Sequence, residues 1–435
     1  MTKVAAPGAS IRNAPVRELA ALSGRALPLL RQWVDEQPRL GVARALLVLA
    51  TAEELGDAAL KEHLRVAHRD ACKVDERSAS LVYGVFLHTH RQHRLTADHL
   101  VGHFARWPGD EVAGLMVGAF AACGDADRRA HGDALVELQY RQAGPDNWFW
   151  ASLTAWTRAE QGRVVEAHEL ARHALALHPR SGVAAHARAH AEHELGTGPA
   201  SVAFIDGWLA ADPQAMQFRH LNWHAALQSL ADGDFADARR RADAVLTRAD
   251  VGMRAATNWR LLLAGQSPAL GCDLDQVRAL LAAPAGTAEV FHTFNLALAL
   301  AGEGAGDDLY ALARRAAADE RTEYRDVLAP VVRALAEVTA DRPECAVTLL
   351  TELGERVEDL GGVRVEREIV QDTLARALTD TGRHARAAEL LRGRSTTRRH
   401  HAYEDLLLTP AAATRRTVPA QPAARDRATA RSSGP

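Results

Sequence analysis

Residues 148–215 read WFWASLTAWTRAEQGRVVEAHELARHALALHPRSGVAAHARAHAEHELGTGPASVAFIDGWLAADPQA. Within this stretch Gly162 recurs as Gly196, Pro179 as Pro213 and Ala155 as Ala189, each 34 positions on. A fixed period of that size marks one supersecondary unit copied along the chain. The unit is helical, because Ala, Leu, Arg and Glu dominate it and these residues lose little on entering a helix. Gly and Pro fall where one helix must end and the next begin.

Thirty-four residues is the period of tetratricopeptide helix pairs. Counting Trp148 as position 1 puts Ala155 at 8, Ala167 at 20, Ala174 at 27 and Pro179 at 32. Small residues at 8 and 20 let the two helices of a pair touch, and Pro ends the second helix. A third copy starts near Arg219, shifted by three residues, with Gly233 in the turn, Ala226 seven before it and Ala238 five after. Ala375, Gly382 and Ala387 repeat that spacing, as do Ala334, Asp341 and Ala346. The period is clearest over 148–245 and recurs over 330–392, while 25–145 reads as degenerate pairs. The expectation is an all-α, right-handed α-solenoid of tetratricopeptide-like helix pairs, continuous over residues 20–400. Residues 1–19 are expected to be a flexible segment. Residues 401–435 are expected to be a disordered tail, since Thr409–Pro435 lacks large apolar side chains.

The whole chain has 435 residues, 47% hydrophobic and only 5% aromatic. Val and Ile never alternate in runs, which speaks against strands. With 52 Lys+Arg against 55 Asp+Glu, the net charge of −3 provides no field to hold nucleic acid or an anionic membrane. No apolar run reaches the ~18 residues of a membrane span, and Ala113–Gly124 is among the longest. Cys72, Cys123, Cys272 and Cys345 form no C-x-x-C, as expected of reduced thiols in a cytoplasmic protein. Phosphate-loop, dinucleotide and nucleophile-elbow motifs are absent.

The chain has 20 histidines, and two groups stand out. AAHARAHAEHELG carries His186, His190 and His193, whose spacings of 4 and 3 put them on one helical face. RHLNWHAAL carries His220 and His224, with Trp223 between them. In the repeat pattern, positions 2, 5, 9 and 12 of the first helix of a pair face the concave groove. His186, His190 and His193 fall at 5, 9 and 12, and His220 and Trp223 at 2 and 5, with His224 adjacent. Phe149, Ser152 and Trp156 hold the same positions one repeat earlier. Three roles fit these residues: hydrogen bonds that hold packed helices, a His/Trp-lined groove for a ligand, or a metal or catalytic centre. Imidazoles at i, i+4 on two neighbouring helices would supply four nitrogen ligands, His186, His190, His220 and His224, to a divalent metal such as zinc. The H-E-x-x-H arrangement is missing, because Ala187 stands where its Glu would be.

Four stretches resemble the tetratricopeptide repeat protein 38 family. They are NWFWASLTAWTRAEQGR at 147–163, HARAH at 186–190 continuing to FIDGWL at 204–209, HLNWHAALQSLADGDFADA at 220–238, and LGGVRVEREIVQDTLARAL at 360–378. The resemblance spans roughly residues 25–395. It implies that His186, His190, His220, Trp223 and His224 match family positions, and that Arg367 matches the arginine of the C-terminal motif. Val363 replaces the small polar residue after Gly-Gly, and Thr293-Phe294-Asn295 stands where relatives carry Asp-Ala-His. A site that needs that later histidine is incomplete here unless His292 substitutes.

Two functions follow as expectations. The first is a repeat protein that binds a peptide, a protein partner or a small ligand in a concave groove. Its ligand-binding residues would be Phe149, Trp156, His186, His190, His193, His220, Trp223, His224 and Arg367. The second is a metal-dependent or histidine-based enzyme of a bacterial biosynthetic pathway, built on the same paired H-x-x-x-H helices. No nucleic acid and no membrane enter either reading.

Overall fold

Three triads of alanine set how closely the central helices pack. The helices Trp148–Glu160, Val164–Leu177 and Gly182–Leu195 meet through Ala151, Ala174 and Ala184. The next layers are Ala155, Ala171 and Ala187, then Ala159, Ala167 and Ala191. A methyl group is the largest side chain these contacts hold, which is why the repeat places Ala at positions 8 and 20.

The computed structural model describes residues 13–247, 250–282, 289–394 and 402–410. Among them every regular element is a helix, and the chain is an all-α solenoid of stacked helix pairs. Turns follow the sequence punctuation. Gly196 ends the Gly182–Leu195 helix in the left-handed conformation, φ 65° and ψ 46°, which glycine adopts without a Cβ clash. Ser181 caps the start of that helix by accepting from the Ala184 N–H at 3.1 Å.

The ends of the chain differ from expectation. The first described helix starts at Ala14, with Val16 and Ala20 fully buried, inside the segment expected to be flexible. The turn that follows it is also engaged: Ala21 O accepts from the Gly182 N–H at 2.7 Å, and Leu22 O from the Met216 N–H at 2.9 Å. Within the expected tail, Ala402–Leu408 is a helix whose Tyr403 and Leu407 are buried. Two large apolar residues four apart suffice to anchor one short helix. Residues 1–12 of the expected flexible segment, and 401 and 411–435 of the expected tail, lie outside the described residues.

The Arg364–Asp380 helix, late in the chain, returns to the central repeats. It packs against Val251–Leu263, and the Trp259 indole N–H donates to Thr373 Oγ1 at 2.9 Å. Its first backbone N–H, from Arg364, donates to Glu160 Oε2 at 2.7 Å across 204 residues of chain. Gly361 and Gly362 admit this approach, with φ of 74° and 72°. A Cβ on Gly362 would run into the Phe291 ring. No described helix is long and apolar enough to cross a membrane. The four cysteines are free.

Candidate metal centre

The two histidine helices, Gly182–Leu195 and Phe218–Ala231, belong to successive repeats. His190 follows His186 by four residues and His224 follows His220 by four, so each pair shares one helical face. The Nε2 atoms converge. His186 Nε2 lies 2.9 Å from His190 Nε2 and 3.0 Å from His220 Nε2, and His220 Nε2 lies 3.2 Å from His224 Nε2. Ligand atoms of His186, His190 and His224 all fall within 4.8 Å of one another, and His220 joins from the side of His186 and His224.

Hydrogen bonding does not account for this arrangement. A neutral imidazole Nε2 carries either one proton or one lone pair, so it makes one in-plane hydrogen bond. His186 Nε2 and His220 Nε2 each face two other Nε2 atoms. At most two of the three contacts are therefore in-plane hydrogen bonds, and the third, even with alternating tautomers, is left without one. A tetrahedron with Zn–N bonds of ~2.0–2.1 Å puts its nitrogens ~3.3–3.4 Å apart, near the three Nε2 contacts, while the residues whose ligand atoms all lie within 4.8 Å of one another are His186, His190 and His224.

Burial favours the form that ligates. It pushes the His190 imidazole down to about 3, with His220 adding to the shift, and His220 down to about 4 against the pull of Asp250. Burial and then the neighbouring histidines hold His186 and His224 well below the usual range. All four rings are neutral at pH 7, with lone pairs available.

Beyond the rings lies a buried carboxylate. Glu160 Oε1 is 3.6 Å from His190 Nδ1, and the two side chains are only 6% and 4% exposed. Burial pushes this carboxyl up to about 7, opposed by Arg367 and by the Arg364 N–H. A carboxylate behind a ligating histidine fixes the ring and its tautomer. Further along the same helix, His193 groups with Glu194 and Glu368, all buried and with ligand atoms within 4.8 Å. Arg364 Nε stands 3.8 Å from both of those carboxylates, as expected of an internal ion network. His193 therefore turns to carboxylates, not to the four-ring group.

The aromatic residues named from the sequence separate. Phe149 and Trp223 are each 1% exposed and belong to the hydrophobic core, not to a groove. Trp223 donates its indole N–H to Thr257 Oγ1 at 3.1 Å, 34 residues on. The reason is register. His186 and His220 are also 34 apart, so the histidine helices hold the period unshifted, and Trp223 takes position 8, the packing position of Ala155 and Ala189. The three extra residues fall before Gly233. Trp156 is half-buried beside Ala155, Ala171 and Ala187, and its indole N–H has no hydrogen-bond partner among the described residues. Arg367 is 5% exposed and pairs with Glu358 at 2.9 Å. His292 sits against Arg91 at 3.5 Å.

Sequence reasoning missed Glu160, Arg364 and Glu368. The one signal for Glu160 was that Glu194 follows it by 34 residues. It also missed a partly buried chain in which Ser80 Oγ meets His103 Nδ1 at 2.9 Å and His103 Nε2 meets Asp110 at 3.1 Å. That chain resembles a nucleophilic triad in composition only. Ser80 sits inside the Glu76–Thr89 helix, where backbone N–H groups are engaged and none is left for an oxyanion.

No protein-family model and no curated protein sequence matches the chain. The resemblance to the tetratricopeptide repeat protein 38 family therefore rests on its quoted motifs alone, and neither comparison supports it. Among solved structures, the chain is similar to one titled "Structure of Naa15/Naa10 bound to HypK-THB", at 13% identity and a TM-score of 0.19. The match covers 89% of this chain and 62% of that one. A TM-score of that size means the two backbones do not superpose, and the solenoid assignment stands on the helix pairs described above.

Proposed function

We propose that this helical-repeat protein is a metalloprotein whose centre is the group His186, His190, His220 and His224. The observation that carries the reading is the run of three Nε2 contacts, 2.9, 3.0 and 3.2 Å, which hydrogen bonds alone do not satisfy. An all-imidazole set suits a first-row divalent ion, with zinc the first choice. Glu160 lies behind His190, its Oε1 3.6 Å from His190 Nδ1. At the ion, bound water would become a stronger acid and a bound carbonyl or phosphoryl oxygen would be polarised.

The groove reading has less support. Of its aromatic residues, Phe149 and Trp223 are buried, which leaves Trp156 as the half-buried apolar anchor.

The test is elemental analysis of the untagged protein as purified, then zinc titration after chelation. About one ion per chain is expected, lost in the His190→Ala, His224→Ala double variant. A wild-type protein that holds no first-row metal as purified and takes up none on titration overturns the proposal.

A further inference from the structure

A second polar space adjoins the imidazole group and shares Glu160 with it. It is a cavity of about 380 Å³ bounded by Arg129, Arg364, Arg367 and Arg394, with Asp133, Glu160, Glu358 and Glu368 among its walls. That volume falls in the ~300–1,000 Å³ range of small-molecule sites. Its chemistry is unusual for an interior, since four guanidinium groups come to one space from three separate parts of the chain.

Two of these arginines share one partner. Arg129 donates from Nη2 to the Glu358 backbone oxygen at 2.7 Å and pairs through Nη1 with the Glu358 carboxylate. Arg367 Nη2 lies 2.9 Å from the same carboxylate oxygen, Oε2, and Nη1 donates to Gly362 O. The Glu358 side chain is 45% exposed, whereas Arg367 is 6% and Arg129 13% exposed. A half-exposed carboxylate thus bridges two buried cations. In addition, Arg129 Nε and Arg367 Nε are buried with no hydrogen-bond partner among the described residues. Buried donors without partners are rare and call for an acceptor. Arg394 is neutralised from behind, by Asp372, which does not line the cavity.

We infer that this cavity is a binding site for a small ligand bearing a carboxylate or phosphate oxyanion, which takes over from Glu358 on Arg129 and Arg367. Glu358 shows the chemistry the two guanidinium groups accept, because planar forks pair with planar oxyanions in bidentate fashion. Being half-exposed, it can swing to solvent at little cost, while the arginines cannot. The inference does not depend on a metal at the histidines.

The test is isothermal calorimetry on the full chain, with inorganic phosphate and malonate as probes and sodium chloride matched for ionic strength. Wild-type protein binds one of the two, and which one identifies the oxyanion class. Glu358→Ala, a change at the surface, binds about tenfold tighter because its competing carboxylate is gone, and Arg367→Gln binds at least about tenfold weaker. Arg129→Gln serves as the second arginine variant if Arg367→Gln loses its helical circular dichroism. All measurements are repeated on chelated protein and on the His190→Ala, His224→Ala variant, where binding persists. Failure of this inference is thereby separate from failure of the metal proposal. Binding of neither probe by wild type and Glu358→Ala alike, or binding that the arginine variants leave unchanged, overturns it.

Discussion

His186 and His220 stand 34 residues apart in the chain and 3.0 Å apart at their Nε2 atoms. One repeat period therefore brings one imidazole onto the next. Each also has a partner four residues further along its own helix, so the helical period and the repeat period together make a compact group of four rings.

That geometry ranks the histidines. His186 Nε2 and His220 Nε2 each touch two other rings, while His193 faces carboxylates. His186→Ala and His220→Ala should each weaken zinc binding by more than 100-fold. Glu160→Gln, which loosens only the ring of His190, should cost about 10–100-fold. His193→Ala should stay within about threefold of wild type. Competition against a chromophoric chelator measures all four, and equal losses at His193 and His186 would contradict the ranking.

The alanine triads predict strong sensitivity to added volume. Ala155, Ala171 and Ala187 are each 0% exposed and meet across three helices. Ala171→Leu adds three carbons where no space exists, and should cost at least ~1–3 kcal/mol. Leu177, which is 40% exposed at the end of the same helix, should accept Ala at less than ~0.5 kcal/mol. Urea denaturation of the metal-free protein provides both values.

The solenoid and the histidine pairs were legible in the sequence because both rest on local spacing: Ala155, Ala167 and Ala174 on one period, His186/His190 and His220/His224 on another. The face of Trp223 was misread for a physical reason. Register was anchored on Gly233, which follows three extra residues, and three positions turn a helix by about 60° from its true facing. Using the histidines as the anchor would have placed Trp223 in the core. Glu160, Arg364, Arg129 and Glu358 were not legible, because they meet over separations of 204 and 229 residues when the chain closes on itself. Nothing local to a helix records such closure.

Two glycines with nearly the same φ should respond differently to alanine. Gly362 and Gly382 have φ of 72° and 76°. A side chain at Gly382 meets nothing within 4 Å, so Gly382→Ala bears only the left-handed strain, roughly 1–2 kcal/mol. At Gly362 the added methyl collides with the Phe291 ring as well. Gly362→Ala should lower stability by at least ~2 kcal/mol more than Gly382→Ala, and should also disturb Arg367, whose guanidinium bonds to Gly362 O. Equal losses in denaturation would show that the ring moves aside without cost.

Acid should destabilise the metal-free protein well before carboxylates titrate. Burial, with His93 adding, pushes His88 down to about 4, and burial with the charge of Arg91 pushes His292 down to about 4. In the unfolded chain both return to ~6.5. Below that pH the unfolded state binds a proton at each and the folded state does not, so stability falls as pH drops from ~6.5 to ~4. The slope reaches at most ~1.4 kcal/mol per pH unit for each histidine. His190 and His220, pushed down by burial to about 3 and about 4, act in the same direction when no metal is bound. Melting temperatures of chelated protein should therefore fall steeply between pH 7 and pH 5. His292→Asn should flatten the slope by one histidine's share without moving the zinc affinity, since His292 sits against Arg91 and outside the four-ring group. A melting temperature that stays level across that interval would mean these rings are protonated in the folded protein, contrary to their burial.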